Sequence, residues 1–217
     1  MIIHLLKGEW TMDKAKPIDF MKHENIRNFV LTAMFSALII VMTIVPYTGY
    51  ITVVSLLLEI TTLHIVVAIG AILLGWKYGA FLGLVWGVTC FIRAFTNPAW
   101  IMFTNPLISV LPRIIVGLVV GLVFEKLSKT TLDKTVCALI AAIVGTLTNT
   151  VLVLSAIYIF GGMFESYKAF FELFKTIFAT IISLNGGIEI VAAAIIVPLV
   201  YKAAASVWLK HQNTNGR

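Results

Sequence analysis

Charge is the scarcest property of this sequence. Of its 217 residues, 12% are charged and 60% are hydrophobic, whereas soluble proteins average about 25% charged and about 45–50% apolar residues. A water-exposed surface needs more charge than this, and the mean hydropathy of +1.01 agrees. The composition therefore excludes a soluble domain, a nucleic-acid-binding protein and a disordered chain. It indicates an integral membrane protein.

Several chemical signatures are also missing. All three aspartates lie outside the long apolar runs, which leaves no aspartyl pair within the membrane. His64 has no second histidine at zinc-site spacing, and residues 70–77 lack the Gly-Lys-Ser/Thr ending of a nucleotide-binding P-loop. We therefore expect no enzymatic activity, no metal and no cofactor. Any uphill step must be driven by another polypeptide.

Long charge-free runs predict membrane-spanning helices. Residues 28–58 contain no charged side chain, and the longest later run covers 135–164. A spanning helix needs about 20 mostly apolar residues, whereas barrel strands alternate apolar and polar residues, which these runs do not. The predicted fold is therefore an all-α integral membrane protein with six transmembrane helices. Their approximate positions are 29–47, 60–76, 78–96, 106–124, 136–160 and 177–201.

Two connecting segments have a distinctive composition. Residues 48–59 hold Tyr50 and Glu59 and are predicted to form a loop or a re-entrant segment. Residues 161–176 mix phenylalanines with lysines and glutamates. This mixture is typical of an amphipathic helix that lies on the membrane surface rather than crossing it.

Lysine and arginine residues predict the orientation, because positive charge is enriched on the cytoplasmic side of membrane proteins. With a cytoplasmic N-terminus, 12 of the 16 basic residues fall inside, whereas Lys168 and Lys175 fall outside and Arg93 and Arg113 fall within spans. Both termini are therefore expected in the cytoplasm. The expected organisation is a cytoplasmic N-terminal segment over 1–27, a six-helix membrane domain over 28–203 and a cytoplasmic tail over 204–217.

Glycines recur at every fourth position around the third predicted span, at Gly75, Gly79, Gly83 and Gly87. On a helix this spacing forms a smooth stripe that lets another backbone approach closely. Packing between helices of the same chain is the favoured interpretation, and contact with another protein is the alternative.

Ionisable and amide side chains within the spans predict a binding site. Such side chains are costly in lipid and usually face a cavity or a partner. Most of them fall in the outer half of the predicted spans, so we expect a ligand pocket that opens on the extracellular side. The candidate binding residues are Arg113, Arg93, Asn97, Asn105, Asn149, Asn185, Glu189, His64 and Trp100. Structural roles in helix packing are the alternative for Asn149 and His64.

The two arginines are central to this prediction. Arg113 stays protonated at any accessible pH and must meet an anion or several carbonyl groups. We expect it either to bind a ligand carboxylate or to pair with Glu189 or Glu59. Arg93 lies nearer the membrane interface and could instead extend its charge into water. The sequence alone does not decide between the two arginines.

Four stretches of the sequence resemble one family of membrane proteins. They are AMFSA in the first span, ILLGWKYGAFLG around the second and third, FTNPLISVLPR at the start of the fourth and NGGIEIVAAAIIVP in the sixth. Together they are similar to the S-components of energy-coupling factor (ECF) transporters, over about residues 28–203. The last two stretches look most like the pantothenate-type members. One departure is Trp76, where the family commonly has proline after Leu-Leu-Gly.

The resemblance implies a specific function. S-components are six-helix proteins of the bacterial cell membrane that bind a vitamin and deliver it to a T-component powered by two ATPase subunits. By resemblance, Ala33 and Ala37 dock on the T-component, and the loop with Tyr50 and Glu59 gates the site. Pantothenate is an anion with one amide and two hydroxyls, which suits arginine and asparagine side chains. The alternatives are another vitamin or precursor, such as hydroxymethylpyrimidine, and a stand-alone secondary transporter.

Overall fold

The structure is a computed structural model that describes residues 23–52, 59–163, 167–180 and 186–215. Two short strands, β1 (Tyr50–Thr52) and β2 (Glu59–Thr61), pair in antiparallel fashion. A 3-10 helix covers Pro98–Thr104. The α-helices are α1 (His23–Ile44), α2 (Leu63–Leu74), α3 (Trp76–Ala94), α4 (Pro106–Ser109), α5 (Leu111–Leu127), α6 (Lys134–Phe160), α7 (Lys168–Thr180) and α8 (Gly187–Asn215).

The described chain is mostly helical, and its helices have the composition of membrane spans. The stretches that are long and apolar enough to cross a membrane are Ile26–Ile44, Pro106–Leu127, Lys134–Phe160 and Gly187–Ser206. By contrast, α2 has 12 residues and is about 18 Å long at 1.5 Å per residue. By the length and composition of its helices, the prediction of a membrane protein with long apolar helices is confirmed.

The structure departs from the sequence prediction at two places. The segment predicted as a loop or a re-entrant segment is flanked by strands, because Tyr50 pairs with Thr61 and Thr52 pairs with Glu59. The fold is therefore not purely helical, and residues 53–58 lie outside the described residues. The sixth span was predicted to begin at residue 177, but that residue belongs to α7. In the sequence, apolar residues continue through Ile177 and Phe178, so the sequence does not mark where α7 ends.

The two ends of the helix bundle differ. The hairpin end carries the β1–β2 hairpin, the 3-10 helix, α4 and α7, at the points where α3 and α6 end and where α2, α5 and α8 begin. The opposite end, here called the lysine end, carries Lys77, Lys126, Lys129, Lys134 and Lys202. The predicted domain limits at 27/28 and 203/204 fall inside α1 and α8.

At the lysine end, local capping starts α6. The Asp133 carboxylate accepts a hydrogen bond of 2.7 Å from the backbone N–H of Thr135. Hydrogen bonds from Thr135 hold the pKa of Asp133 below its ordinary value. An aspartate at this position satisfies an N–H group that the first turn of a helix leaves without a partner.

Glycines allow α3 and α5 to touch backbone to backbone. A Cβ atom added at Gly83 would collide with the carbonyl of Arg113, and one added at Gly117 would collide with the carbonyl of Gly79. Gly79, Gly83 and Gly87 therefore serve packing within the chain, which is the interpretation favoured from the sequence. Gly75 differs, because it separates α2 from α3 with φ of +97°, a conformation that glycine adopts readily.

This close contact predicts a stability effect. We expect Gly83→Ala to destabilise the protein by about 1–3 kcal/mol, because the added methyl group forces α3 and α5 apart. Gly187→Ala is the matched control, since a Cβ atom at Gly187 has nothing within 4 Å. Thermal unfolding of the purified protein in detergent measures both variants. Equal melting temperatures for the two variants would contradict the proposed backbone contact.

Candidate ligand-binding site

A cavity of about 160 Å³ lies at the hairpin end of the bundle. It is enclosed by the hairpin, α3, the 3-10 helix, α5, α6, α7 and the start of α8. One wall is apolar and consists of Met102, Phe103, Val153, Leu154, Ile157 and Phe174. The described lining also holds four charged side chains, Glu59, Arg93, Arg113 and Glu189.

Arg113 is the cation of the cavity that forms no ion pair with a described carboxylate. Its side chain is buried, and one of its terminal N–H groups donates a 2.6 Å hydrogen bond to the carbonyl of Ile108. Among the described residues, no carboxylate forms an ion pair with Arg113, and no acceptor reaches its Nε. The guanidinium lies 5.2 Å from the ring centre of Trp86 and 5.4 Å from that of Phe103. It is therefore available to an anionic ligand.

Arg93, in contrast, is compensated within the protein. Its two terminal nitrogens donate to the two oxygens of Glu59 at 2.9 and 2.8 Å. Its guanidinium also lies 4.0 Å from the ring centre of Tyr50 and 3.6 Å from that of Trp100. This paired and stacked arrangement joins α3 to the hairpin and to the 3-10 helix. The two arginines, which the sequence could not distinguish, therefore differ in the structure: Arg93 is paired with a described carboxylate, and Arg113 is not.

Glu189 is the other carboxylate of the described lining, and it is buried. Its Oε1 accepts a 2.7 Å hydrogen bond from the backbone N–H of Thr61, which links α8 to β2. Within the described part of the chain, no hydrogen bond reaches its other oxygen. Glu189 therefore presents a carboxyl oxygen to the cavity that Arg113 also lines.

Three polar atoms of the cavity lining are buried and have no partner among the described residues: Arg113 Nε, Trp100 Nε1 and Asn149 Oδ1. Buried polar groups in proteins are almost always hydrogen-bonded, and leaving one without a partner costs about 1–3 kcal/mol. Because all three residues line the same cavity, it is the candidate site for a polar ligand.

Other predicted binding residues lie elsewhere. Asn97 and Asn105 do not line the cavity; each caps a helix by accepting from a backbone N–H, of Ala99 at 2.9 Å and of Leu107 at 3.0 Å. His64 is buried in the first turn of α2 and is also absent from the lining. Asn185 lies outside the described residues, although its neighbour Gly186 lines the cavity.

The sequence analysis missed the apolar wall. Val153, Leu154 and Ile157 lie on α6, and Phe174 lies on α7. The amphipathic pattern of residues 161–176 could have indicated Phe174, because the apolar face of an amphipathic helix packs against an apolar surface. The α6 residues gave no signal, since an apolar side chain that faces a cavity has the same sequence pattern as one that faces lipid.

Ala33 and Ala37, predicted to dock on another protein, lie on the exposed side of α1. Their large apolar neighbours Met34 and Val41 are 63% and 54% exposed. The face therefore contacts lipid or a partner rather than the rest of the bundle.

Comparisons with known proteins identify relatives. The sequence model of the family described as "ECF transporter, substrate-specific component" matches residues 27–201. The chain is 37% identical over 111 residues to the pantothenate transporter PanT of Leuconostoc mesenteroides, covering 49% of this chain and 54% of that protein. It is 37% identical over 163 residues to the pantothenic acid transporter PanT of Lactococcus lactis, covering 66% of this chain and 78% of that protein. The first match thus spans about half the length of its relative.

The Arg93–Glu59 pair predicts a non-additive effect on stability. We expect Arg93→Gln and Glu59→Gln each to lower the melting temperature, because each leaves a largely buried charge without its partner. The double variant should be no less stable than the worse single variant, with a coupling energy of about 0.5–3 kcal/mol. Thermal unfolding of the wild type, the two single variants and the double variant measures this double-mutant cycle. Additive effects would show that the two side chains do not depend on each other.

Proposed function

The chain belongs to the substrate-specific components of ECF transporters, and on that premise we propose that it captures pantothenate and delivers it to a separate transport module. The observation that carries the proposal is the cavity in which Arg113 has no anionic partner and Asn149 Oδ1 and Trp100 Nε1 have no hydrogen-bond partner among the described residues. The names of two relatives, both called pantothenate or pantothenic acid transporters, support the choice of ligand.

The chemistry of the lining suits this vitamin. Its carboxylate would bind Arg113, and its amide and hydroxyl groups would bond to Asn149, Trp100 and Glu189. Its branched dimethyl group would rest on the apolar wall of α6 and α7. Another vitamin is the competing candidate, and a binding panel with other B vitamins and hydroxymethylpyrimidine tests it directly.

The proposed topology has six membrane crossings, by α1, α2, α3, α4–α5, α6 and α8. The lysine end would lie in the cytoplasm, because basic residues are enriched there, and the cavity would open toward the outside. Both termini would be cytoplasmic. The bacterial source of the two relatives supports a location in a bacterial plasma membrane.

We expect the purified protein to bind pantothenate without ATP, and Arg113→Ala to weaken binding at least tenfold. A tenfold loss corresponds to about 1.4 kcal/mol, and the reason is loss of the cation that faces the ligand carboxylate. Isothermal titration calorimetry provides the measurement. Arg93→Ala should have a smaller effect on the affinity, because Arg93 is already paired with Glu59.

Lys175→Ala is the matched control for removal of a positive charge at this end of the protein. Lys175 is exposed on α7 and pairs with Glu172, and it does not line the cavity. Its affinity for pantothenate should equal that of the wild type. If the wild type releases no heat with pantothenate and does not bind it in competition assays, the assignment of this ligand is wrong.

Delivery would require a partner, because the sequence contains no nucleotide-binding motif. We propose that the exposed face of α1 around Ala33 and Ala37 docks on a T-component that works with two ATPase subunits. Small side chains at this spacing let another helix approach closely. The exposure of both alanines supports this role.

The docking proposal predicts the result of enlarging these alanines. We expect the double variant Ala33→Trp and Ala37→Trp to lose co-purification with the T-component and ATPases while it still binds pantothenate. Bulky rings would hold the partner helix away from α1. Ala203→Trp, at an exposed position of α8, is the control and should co-purify normally. Undiminished recovery of the complex with the double variant would disprove docking at this face.

A further inference from the structure

We propose that the cavity admits a single anionic group and that Glu189 is the specificity-determining residue that excludes a second one. This inference rests on the proposed function, since it concerns which derivatives of the ligand can enter the same cavity. It assigns the substrate class as a monoanion whose remaining polar groups are neutral hydrogen-bond donors.

The argument begins with a count of the charges that line the cavity. The charged side chains among the described lining residues are Glu59, Arg93, Arg113 and Glu189. Arg93 and Glu59 neutralise each other through two hydrogen bonds of 2.9 and 2.8 Å. Only Arg113 and Glu189 are left to act on a ligand, one positive and one negative. A monoanionic ligand already uses the whole of the available positive charge.

A second anionic group would have no cation to meet. The rest of the described lining is apolar or neutral, including the aliphatic wall of α6 at Val153, Leu154 and Ile157. The nearby lysine of α7, Lys175, is engaged by Glu172 at 2.6 Å. An isolated charge buried without a partner is strongly disfavoured, so an extra carboxylate or phosphate would be rejected.

Besides the lack of a second available cation in the described lining, the Glu189 carboxylate itself repels a second anionic group. Its Oε1 accepts from the backbone of Thr61 at 2.7 Å, which fixes the carboxylate in place. The other oxygen has no hydrogen-bond partner among the described residues and is available to a ligand hydroxyl. A ligand hydroxyl can donate to this oxygen, whereas the ionised carboxylate of Glu189 repels a carboxylate or phosphate oxygen. Specificity that combines a favourable contact with a repulsive one is typical of selective sites.

The consequence concerns phosphorylated and oxidised derivatives of the ligand. A phosphate ester of the primary hydroxyl, or a diacid in which that CH2OH group is replaced by a carboxylate, would carry the second negative charge. The diacid is the sharper probe, because it is nearly the same size as pantothenate. The site would thus take up the free vitamin and leave its phosphate ester outside.

The test is a competition assay at about pH 8, where carboxyl groups with ordinary pKa values are ionised. Wild-type protein and the variant Glu189→Gln are titrated with pantothenate and with the diacid. We expect the wild type to prefer pantothenate at least 100-fold. In Glu189→Gln we expect this ratio to shrink at least tenfold, because the neutral amide no longer repels a second anionic group.

Glu125→Gln is the matched control, because Glu125 is an exposed carboxylate on α5 at the lysine end, outside the cavity lining. It should keep the wild-type ratio. Equal binding of both compounds by the wild type, or an unchanged ratio in a folded Glu189→Gln, would overturn the inference while the proposed function stands. Absence of any pantothenate binding by the wild type would overturn both. The wild-type ratio is informative even if the variant fails to fold.

Discussion

The structure depends on one constraint, which is that a charge in an apolar helix bundle must be compensated by a group inside the protein. Arg93 is compensated by Glu59 and by the rings of Tyr50 and Trp100. Glu189 is held by a backbone N–H group. Arg113 has a carbonyl but no carboxylate among the described residues. The site is therefore the place where internal compensation is incomplete, and a ligand is needed to complete it.

The packing of the helices places these charges. Because glycines bring α3 and α5 into backbone contact, the carbonyl of Arg113 lies directly against Gly83. The backbone from which the Arg113 side chain extends is thus held by a contact between two helices. On the other side, α7 covers the cavity with Phe174, and a 3.0 Å hydrogen bond between Tyr167 and Thr104 holds this cover to the 3-10 helix.

The sequence predicted the features that depend on local composition. Long apolar runs predicted membrane helices, and the cost of burying charge pointed to Arg113, Arg93 and Glu189 as site residues. Features that depend on distant pairs could not be predicted in this way. The pairing of Arg93 with Glu59 joins residues 34 positions apart, so it leaves no local pattern. Asn97 and Asn105 precede prolines, and this local signal for a helix start explains the capping role they have in the structure.

The hydrogen bond between Thr61 and Glu189 comes from the main chain, and this origin has a consequence for how the protein can evolve. Any amino acid except proline supplies the same N–H group at position 61. The identity of the residue there matters instead for the threonine hydroxyl, which donates to the carbonyl of Gly49. Variation among relatives at position 61 would therefore report on the hydrogen bond to Gly49 and not on the contact with Glu189.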